Sequence, residues 1–323
     1  MLAVEAEHAG GPEVLRVVDR PDPAPGPGQI RVRHKAIGLN YIDTYHRSGL
    51  YPMPMPLVLG LEGAGVVDAV GDGVTRFHVG DRAAYGSGPI GAYAETHIVP
   101  ADKAVHLPDA ISFEVAAASL LKGMTVEYLI KRLYPVQTGE TILLHAAAGG
   151  VGQILIQWAK SLGAVVIATA GGTEKVALAR RLGADYALDN RSEDIAAAVK
   201  EITGGKGVRV VYDSVGPATF EASLKSLGRR GMFVSFGNAS GLVEPVPPSL
   251  LQKHGSLFLT RPTLMDYTAT VEELDACATA FFDVVTDETV KIDIAQTFAL
   301  KDARAAHEAL ESRKTVGSTI LIP

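Results

Sequence analysis

The 323-residue chain contains one cysteine, Cys277. A lone cysteine excludes an intrachain disulfide and any multi-cysteine metal site, and its setting in VEELDACATAFFDVV reads as ordinary packing of an amphipathic helix. Basic residues are also short: 30 Lys and Arg stand against 36 Asp and Glu, for a net charge of -6. Such a balance repels phosphate backbones and anionic lipid, so neither nucleic acid nor a membrane surface is expected as a partner. No stretch approaches the roughly 18 uninterrupted apolar residues of a membrane span. The beginning, MLAVEAEHAGG, carries acids where a secretory leader needs a basic start and an apolar core, and a cytoplasmic protein is expected. Internal repeats and low-complexity runs are lacking, and RPDPAPGPGQ reads as a surface turn.

What is present is enough apolar material, 47% of residues, for two cores. The first third is rich in Gly and Pro, with short β-branched runs such as QIRVRHKAIGL, GAGVVDAVG and AYAETHIV, the texture of a β-rich domain. A helical pattern begins near SFEVAAASLLKGMTVEYLIKRL, and strand-like and helical stretches then alternate. TILLHA, AVVIATA, ADYALD, VRVVYDS, GMFVSFG and SLFLT supply six strand candidates for a doubly wound parallel sheet of the Rossmann kind, an α/β fold. The expected division is a parallel-sheet domain over 122–263 and a β-rich domain over 1–121 and 264–323, with IAQTFAL and GSTILIP packing back on the first domain.

Against the dinucleotide fingerprint G-x-G-x-x-G, HAAAGGVG offers Ala147, Gly149 and Gly152, after a strand and before a helix. Gly149 lets the backbone approach a pyrophosphate at the helix N-terminus, and Gly152 lets helix and strand pack closely. Ala148, Gly149, Gly150, Val151 and Gly152 are the candidate phosphate-facing residues, and Ala147 can turn if its φ stays negative. About 20 residues on, where an NAD site places an acid for the ribose 2′-hydroxyl, the sequence reads ATAGGTEK, with no acid at the tip. Thr169, Gly171, Gly172 and Lys175 form a small, open, basic pocket suited to a 2′-phosphate, which favours NADPH. The bland reading of Lys175 is a solvated lysine on a first helical turn opposite Glu174.

With these residues go GLNYIDTYHRSGLYP, PLVLGLEGAGVV, VGDRAAY, LLKGMT, VSFGNASG and LESRKTVGSTILIP. Together they resemble the zinc-free quinone oxidoreductases, the ζ-crystallin-like group of the medium-chain dehydrogenase/reductase superfamily, across essentially the whole chain. The resemblance implies a GroES-like β-rich catalytic domain and NADPH-dependent reduction of quinones in the cleft between the domains. Zinc-dependent relatives carry a cysteine at the position of Asn40 and a histidine at that of Leu61, so no catalytic zinc is expected. The nine histidines (His8, His34, His46, His78, His97, His106, His145, His254 and His307) show no short metal spacing, and only His46 lies in the active-site-like stretch.

The resemblance places Asn40, Tyr45, Tyr51 and Thr125 near nicotinamide or substrate, Phe236, Gly237 and Asn238 along the cofactor, and Arg313 near its far side. Tyr51 is a candidate proton donor, although Tyr41, Tyr45 and Tyr51 also read simply as cleft cover. Asn190 stands where close relatives carry a tyrosine near the adenosine phosphate, with Arg191 beside it as a second possible cation. Without a metal to acidify an alcohol, a quinone or other conjugated carbonyl is the expected acceptor, because it takes hydride once held in place. Reduction of enones or 2-alkenals is the nearest alternative, and a non-catalytic NADPH-binding protein is the alternative of another class. The spacing of Tyr128 and Lys131 does not fit a Tyr-x-x-x-Lys pair, and GNASG puts Ser240 one place late for a hydrolase elbow. An apolar last strand in SLFLT at a sheet edge is the expected dimer contact.

Overall fold

The short β-branched runs of the first third fold as antiparallel strands. In chain order they are β1 (Leu2–Ala6), β2 (Leu15–Asp19), β3 (Gln29–Leu39), β4 (Leu57–Val58), β5 (Glu62–Val70), β6 (Arg82–Tyr85), β7 (Thr96–Pro100) and β8 (Val105–His106). The structure is a computed structural model that describes residues 1–312 and 314–323. Along β3 the period of two is plain: Ile30, Val32, His34 and Ala36 are buried, and the charged Arg31, Arg33 and Lys35 alternate with them. Arg31 and Arg33 both bind Asp68 of β5, a cross-strand pairing on the outer face. Helix α1 (Tyr41–Ser48) follows β3 directly and stops at Gly49, whose φ of 80° suits a residue without Cβ. Helix α2 (Phe113–Glu127) then leads out of this unit, which spans Met1–Met124, Tyr267–Glu288 and Ile292–Pro323.

The second unit, Thr125–Asp266 with Thr289–Lys291, holds β9 (Thr141–Leu144), β10 (Val165–Ala170), β11 (Tyr186–Asp189), β12 (Val208–Asp213), β13 (Leu227–Ser235) and β14 (Phe258–Thr260). All pair in parallel in the order β11-β10-β9-β12-β13-β14, so the six expected strands form the expected doubly wound sheet. Between them run α3 (Gly150–Ser161), α4 (Thr173–Arg181), α5 (Ile195–Ile202) and α6 (Pro217–Ser226), followed by α7 (Pro248–Lys253) and α8 (Leu264–Tyr267). Leu143, Ile167, Val211 and Phe233 of the sheet pack with Val199 and Leu224 of the helices. The strand order reverses between β9 and β12, and a doubly wound sheet opens its ligand crevice at the carboxyl ends of the strands there.

The chain returns through α9 (Val271–Thr286), β15 (Ile294–Ala299), α10 (Ala303–Glu311) and β16 (Ser318–Ile322). Strand β16 pairs antiparallel with β3, which gives the sheet order β15-β16-β3-β5-β6-β8 with β7 also on β3. Cys277 on α9 is buried, as its amphipathic setting predicts. No helix among the described residues is long and apolar enough to cross a membrane.

A chain of buried polar groups ties α10 to α1. Arg47 donates to Glu311 through both terminal nitrogens (2.9 and 2.8 Å) and to His307 Nδ1 (2.9 Å). Because a guanidinium only donates, Nδ1 accepts, and Nε2–H is left to donate to the Tyr93 hydroxyl (3.0 Å). Tyr93 donates in turn to Asp43 Oδ2 (3.1 Å), which also accepts the Asn40 N–H (2.8 Å). Burial holds the His307 imidazole near pKa 3 and raises the Asp43 carboxyl to about 7, with the nearby Glu62 charge adding to the rise and Lys122 opposing it.

Asp43 therefore keeps its proton in the fold up to about pH 7, whereas an unfolded aspartate releases it near 3.8. The folded state binds the extra proton between those values, so this group's contribution to stability falls as pH rises through the window. Asp43→Asn retains an acceptor for Asn40 and Tyr93 without the titration. Urea melts at pH 4.5 and 7.5 should show the variant losing less stability, or gaining more, than the parent over that interval; parallel changes would mean that Asp43 does not titrate there.

Candidate active site

At the end of β9 the chain turns through HAAAGGVG into α3. The left-handed residue of this turn is Ala146, with φ 55°, and not Ala147. Ala147 is fixed instead by donating its N–H to Thr169 O on β10 (3.0 Å). A Cβ on Gly152 would lie 2.5 Å from Ala146 O and 2.7 Å from Ala147 O, so that glycine is required by backbone contact. At Gly149, the N-cap of α3, a Cβ would meet only Ala146 O, at 3.4 Å. No side chain caps this helix end and its first turn carries no acid, so the N-terminal N–H groups and the positive end of the helix dipole are available to an anion.

The second turn, after β10, brings together Gly171, Gly172, Asn190 and Arg191, with one residue, Asp189, that the linear pattern did not relate to it. Gly172 (φ 94°) caps α4 and donates its N–H to Asp189 Oδ1 (2.9 Å), which also accepts the Arg191 N–H (3.0 Å). These two backbone bonds hold the Asp189 carboxyl below the ordinary range. An acid thus does reach this turn, but from the end of β11, where it is engaged by backbone donors. Arg191 lies over the glycines: a Cβ on Gly171 would come within 2.9 Å of its Nε. Burial lowers the Lys175 ammonium, and the Arg191 charge lowers it further, the mark of two cations facing one space. Asn190 is close to the same turn, its Oδ1 3.3 Å from where a Gly171 Cβ would stand.

Beneath both turns a buried network joins three strand ends. His145 contacts Thr169 Oγ1 through Nδ1 (2.8 Å) and Ser223 Oγ through Nε2 (3.0 Å). Ser223 and Thr219 donate to Asp213 Oδ2 (2.8 and 2.7 Å), and the N–H groups of Val215 and Gly216 donate to Oδ1. With Asp213 as acceptor at one end, the proton of neutral His145 sits on Nε2 and the Thr169 hydroxyl donates to Nδ1. In the linear sequence His145 is one of nine scattered histidines and nothing marks Asp213. Their partners come from 24 and 78 residues away, and from α6. Phe236 N donates to Asp213 O (2.8 Å), Gly237 has Ser214 O within 2.5 Å of a Cβ position, and Asn238 is buried, so these three lie beside the Asp213 end.

In the first unit, α1 gathers Asn40, Tyr45 and Tyr51. The Tyr45 and Tyr51 rings meet edge-on at 5.2 Å, Tyr41 lies 5.8 Å from Tyr45, and His46 lies 6.0 Å from Tyr51. Asn40, the N-cap of α1, donates Nδ2–H to Glu62 Oε2 (2.7 Å). Thr125 is buried in the second unit, and Arg313 lies outside the described residues. Among the described residues no group of three His, Cys, Asp or Glu side chains is arranged to hold a metal ion.

Residues 26–109 match the family model "Alcohol dehydrogenase GroES-like domain", and residues 150–280 match "Zinc-binding dehydrogenase". The chain is 53% identical to a quinone oxidoreductase of Pseudomonas aeruginosa over 97% of both chains. It is 42% identical to a 2-haloacrylate reductase of a Burkholderia species, over 100% of this chain and 99% of the relative. The solved structure of Escherichia coli quinone oxidoreductase complexed with NADPH matches with a TM-score of 0.99 and 51% identity, covering 100% of both chains. On the sheet order, the glycine turns and this full-length likeness, the chain belongs to the quinone oxidoreductase family of the medium-chain dehydrogenase/reductase superfamily.

Proposed function

We propose that this protein is an NADPH-dependent quinone oxidoreductase. The observation that carries the reading is the pair of cations, Lys175 and Arg191, at the second glycine turn, in a chain more than half identical along its length to quinone oxidoreductases. The residues fit the cofactor. Gly150, Val151 and Gly152 offer backbone N–H groups to a pyrophosphate, with Ala148 and Gly149 beside them, the Gly149 N–H being held by Ala146 O (3.0 Å), and the uncapped start of α3 adds its dipole. Gly171, Lys175, Asn190 and Arg191 frame the 2′-phosphate; Thr169, expected with them, is instead fully buried with its hydroxyl on His145 and braces the turn from beneath, while Phe236, Gly237 and Asn238 border the cofactor beyond the Asp213 end. When bound, reduced nicotinamide supplies hydride to a conjugated acceptor. The chain's own contribution is to bind, orient and exclude water, which suffices for an acceptor that needs no Lewis acid.

On this reading Asn40, Tyr45 and Thr125 face nicotinamide or substrate, and the Tyr51 hydroxyl donates a hydrogen bond or proton to the oxygen that gains charge. Reduction of an activated double bond is a second reading, favoured by the likeness to a 2-haloacrylate reductase.

We further propose a homodimer through β14. It is the edge strand of the parallel sheet and exposes Phe258 by 56% and Leu259 by 36%. An uncovered apolar edge is a template for strand pairing.

NADPH oxidation with 1,4-benzoquinone and 9,10-phenanthrenequinone should exceed that with a 2-alkenal, and Tyr51→Phe should slow quinone turnover about tenfold. Preference for the alkenal would favour the second reading, and full turnover by the phenylalanine variant would remove Tyr51 as donor. Lys175→Gln should raise the KM for NADPH about tenfold or more and leave that for NADH nearly unchanged; equal effects would reject the phosphate assignment. Light scattering should give twice the chain mass, and a monomer mass would reject the edge-strand dimer.

A further inference from the structure

Glu62 on β5 is fully buried, and each of its contacts comes from an element bordering Asn40. Oε2 accepts the Asn40 Nδ2–H (2.7 Å) and lies 3.4 Å from Lys122 Nζ; Oε1 accepts the Leu121 N–H (2.7 Å). Lys122 is itself buried, its side chain 8% exposed. Room for the carboxylate is made by Gly38 on β3, where a Cβ would stand 2.3 Å from Oε2 and 2.2 Å from Ala117 O. On the other side of Asn40, Asp43 Oδ2 takes its backbone N–H.

A fully buried ion pair is a poor stabilising device, since desolvation offsets most of its attraction, and apolar residues of equal volume commonly serve stability as well. What it supplies here is direction. A carboxylate only accepts, so the Asn40 amide must turn its nitrogen to Glu62, and its two flip states are reduced to one. Burial pushes the Glu62 carboxyl above its ordinary range and the Lys122 ammonium draws it back; Lys122 faces the same oxygen as Asn40, which marks that oxygen as an acceptor, and the Leu121 N–H fixes the other one. We propose that Glu62 and Lys122 are positioning residues for the reductase reaction, locking the Asn40 amide in the one orientation in which its polar ends meet nicotinamide or acceptor. This rests on the reading of Asn40 as a residue of the reaction site.

The test compares Asn40→Ala, Glu62→Gln, Lys122→Met and Lys122→Arg, with the double variants Asn40→Ala/Glu62→Gln and Glu62→Gln/Lys122→Met. Each is measured for Tm, for NADP+ affinity by calorimetry, and for kcat and KM with 1,4-benzoquinone. Glutamine at 62 presents either an oxygen or an N–H, which frees both amide states, so kcat should fall about tenfold while Tm and NADP+ affinity stay near the parent's. Lys122→Met should fall further, Lys122→Arg should retain most of the turnover, and removing both charges should return Lys122→Met toward the Glu62→Gln level. In the Asn40→Ala background Glu62→Gln should change kcat by less than twofold, because its effect runs through Asn40. If Asn40→Ala loses turnover but Glu62→Gln folds and keeps it, or if the two losses multiply, the positioning role is overturned. Full turnover by Asn40→Ala would overturn the reading of Asn40 and the positioning role with it. Should Glu62→Gln fail to fold, equal turnover by the Lys122→Met and Lys122→Arg variants would overturn it.

Discussion

Helix α3 can lie against β9 because residue 152 has no side chain. The carbonyl oxygens of Ala146 and Ala147 occupy the space a Cβ would need, so the start of the helix approaches the strand end at backbone distance. That approach aims the first N–H groups of α3 past the sheet, and it commits Ala146 to a left-handed turn and Ala147 to a bond with β10. The order of the parallel strands then places this helix end at the point where the sheet reverses direction, where ligands of such folds collect.

Both units carry buried polar networks whose members are held by several elements at once. In the second, Asp213 accepts from two side chains and two backbone amides, and His145 extends the network to β10. In the first, the chain from Arg47 to Asp43 sets the tautomer of His307 and reaches the start of α1. Neither arrangement is needed for burial alone, because apolar groups would fill the same volume more cheaply. What such networks impose is a single geometry, since a half-satisfied member would be left unpaired in a low-dielectric interior.

Electrostatics at the second glycine turn depends on how one acid is engaged. Asp189 reaches this turn and its carboxylate takes the N–H groups of Gly172 and Arg191, while the Arg191 guanidinium lies against Gly171 and Gly172 and its charge lowers the Lys175 ammonium. The tip of β10 carries no acid of its own, and the aspartate that does reach it comes from β11 with its carboxylate already held by backbone donors.

The amino-acid pattern determined the architecture and the glycine turns because both are written in short-range periodicity. The period of two in β3, the strand runs from TILLHA to SLFLT, and the glycines at 149, 152, 171 and 172 each act within one turn or one strand. The nearness of Arg191 to Lys175, the reach of Asp189 to Gly172, the use of His145 as a strand tie, and the convergence of Asn40 and Lys122 on Glu62 were decided only by the tertiary structure. Those groups are between 16 and 82 residues apart along the chain (191 − 175 and 122 − 40). Nothing in local propensity registers a neighbour brought in by a parallel crossover or by a helix laid across a strand end, and burial then decides which of those neighbours must carry charge together.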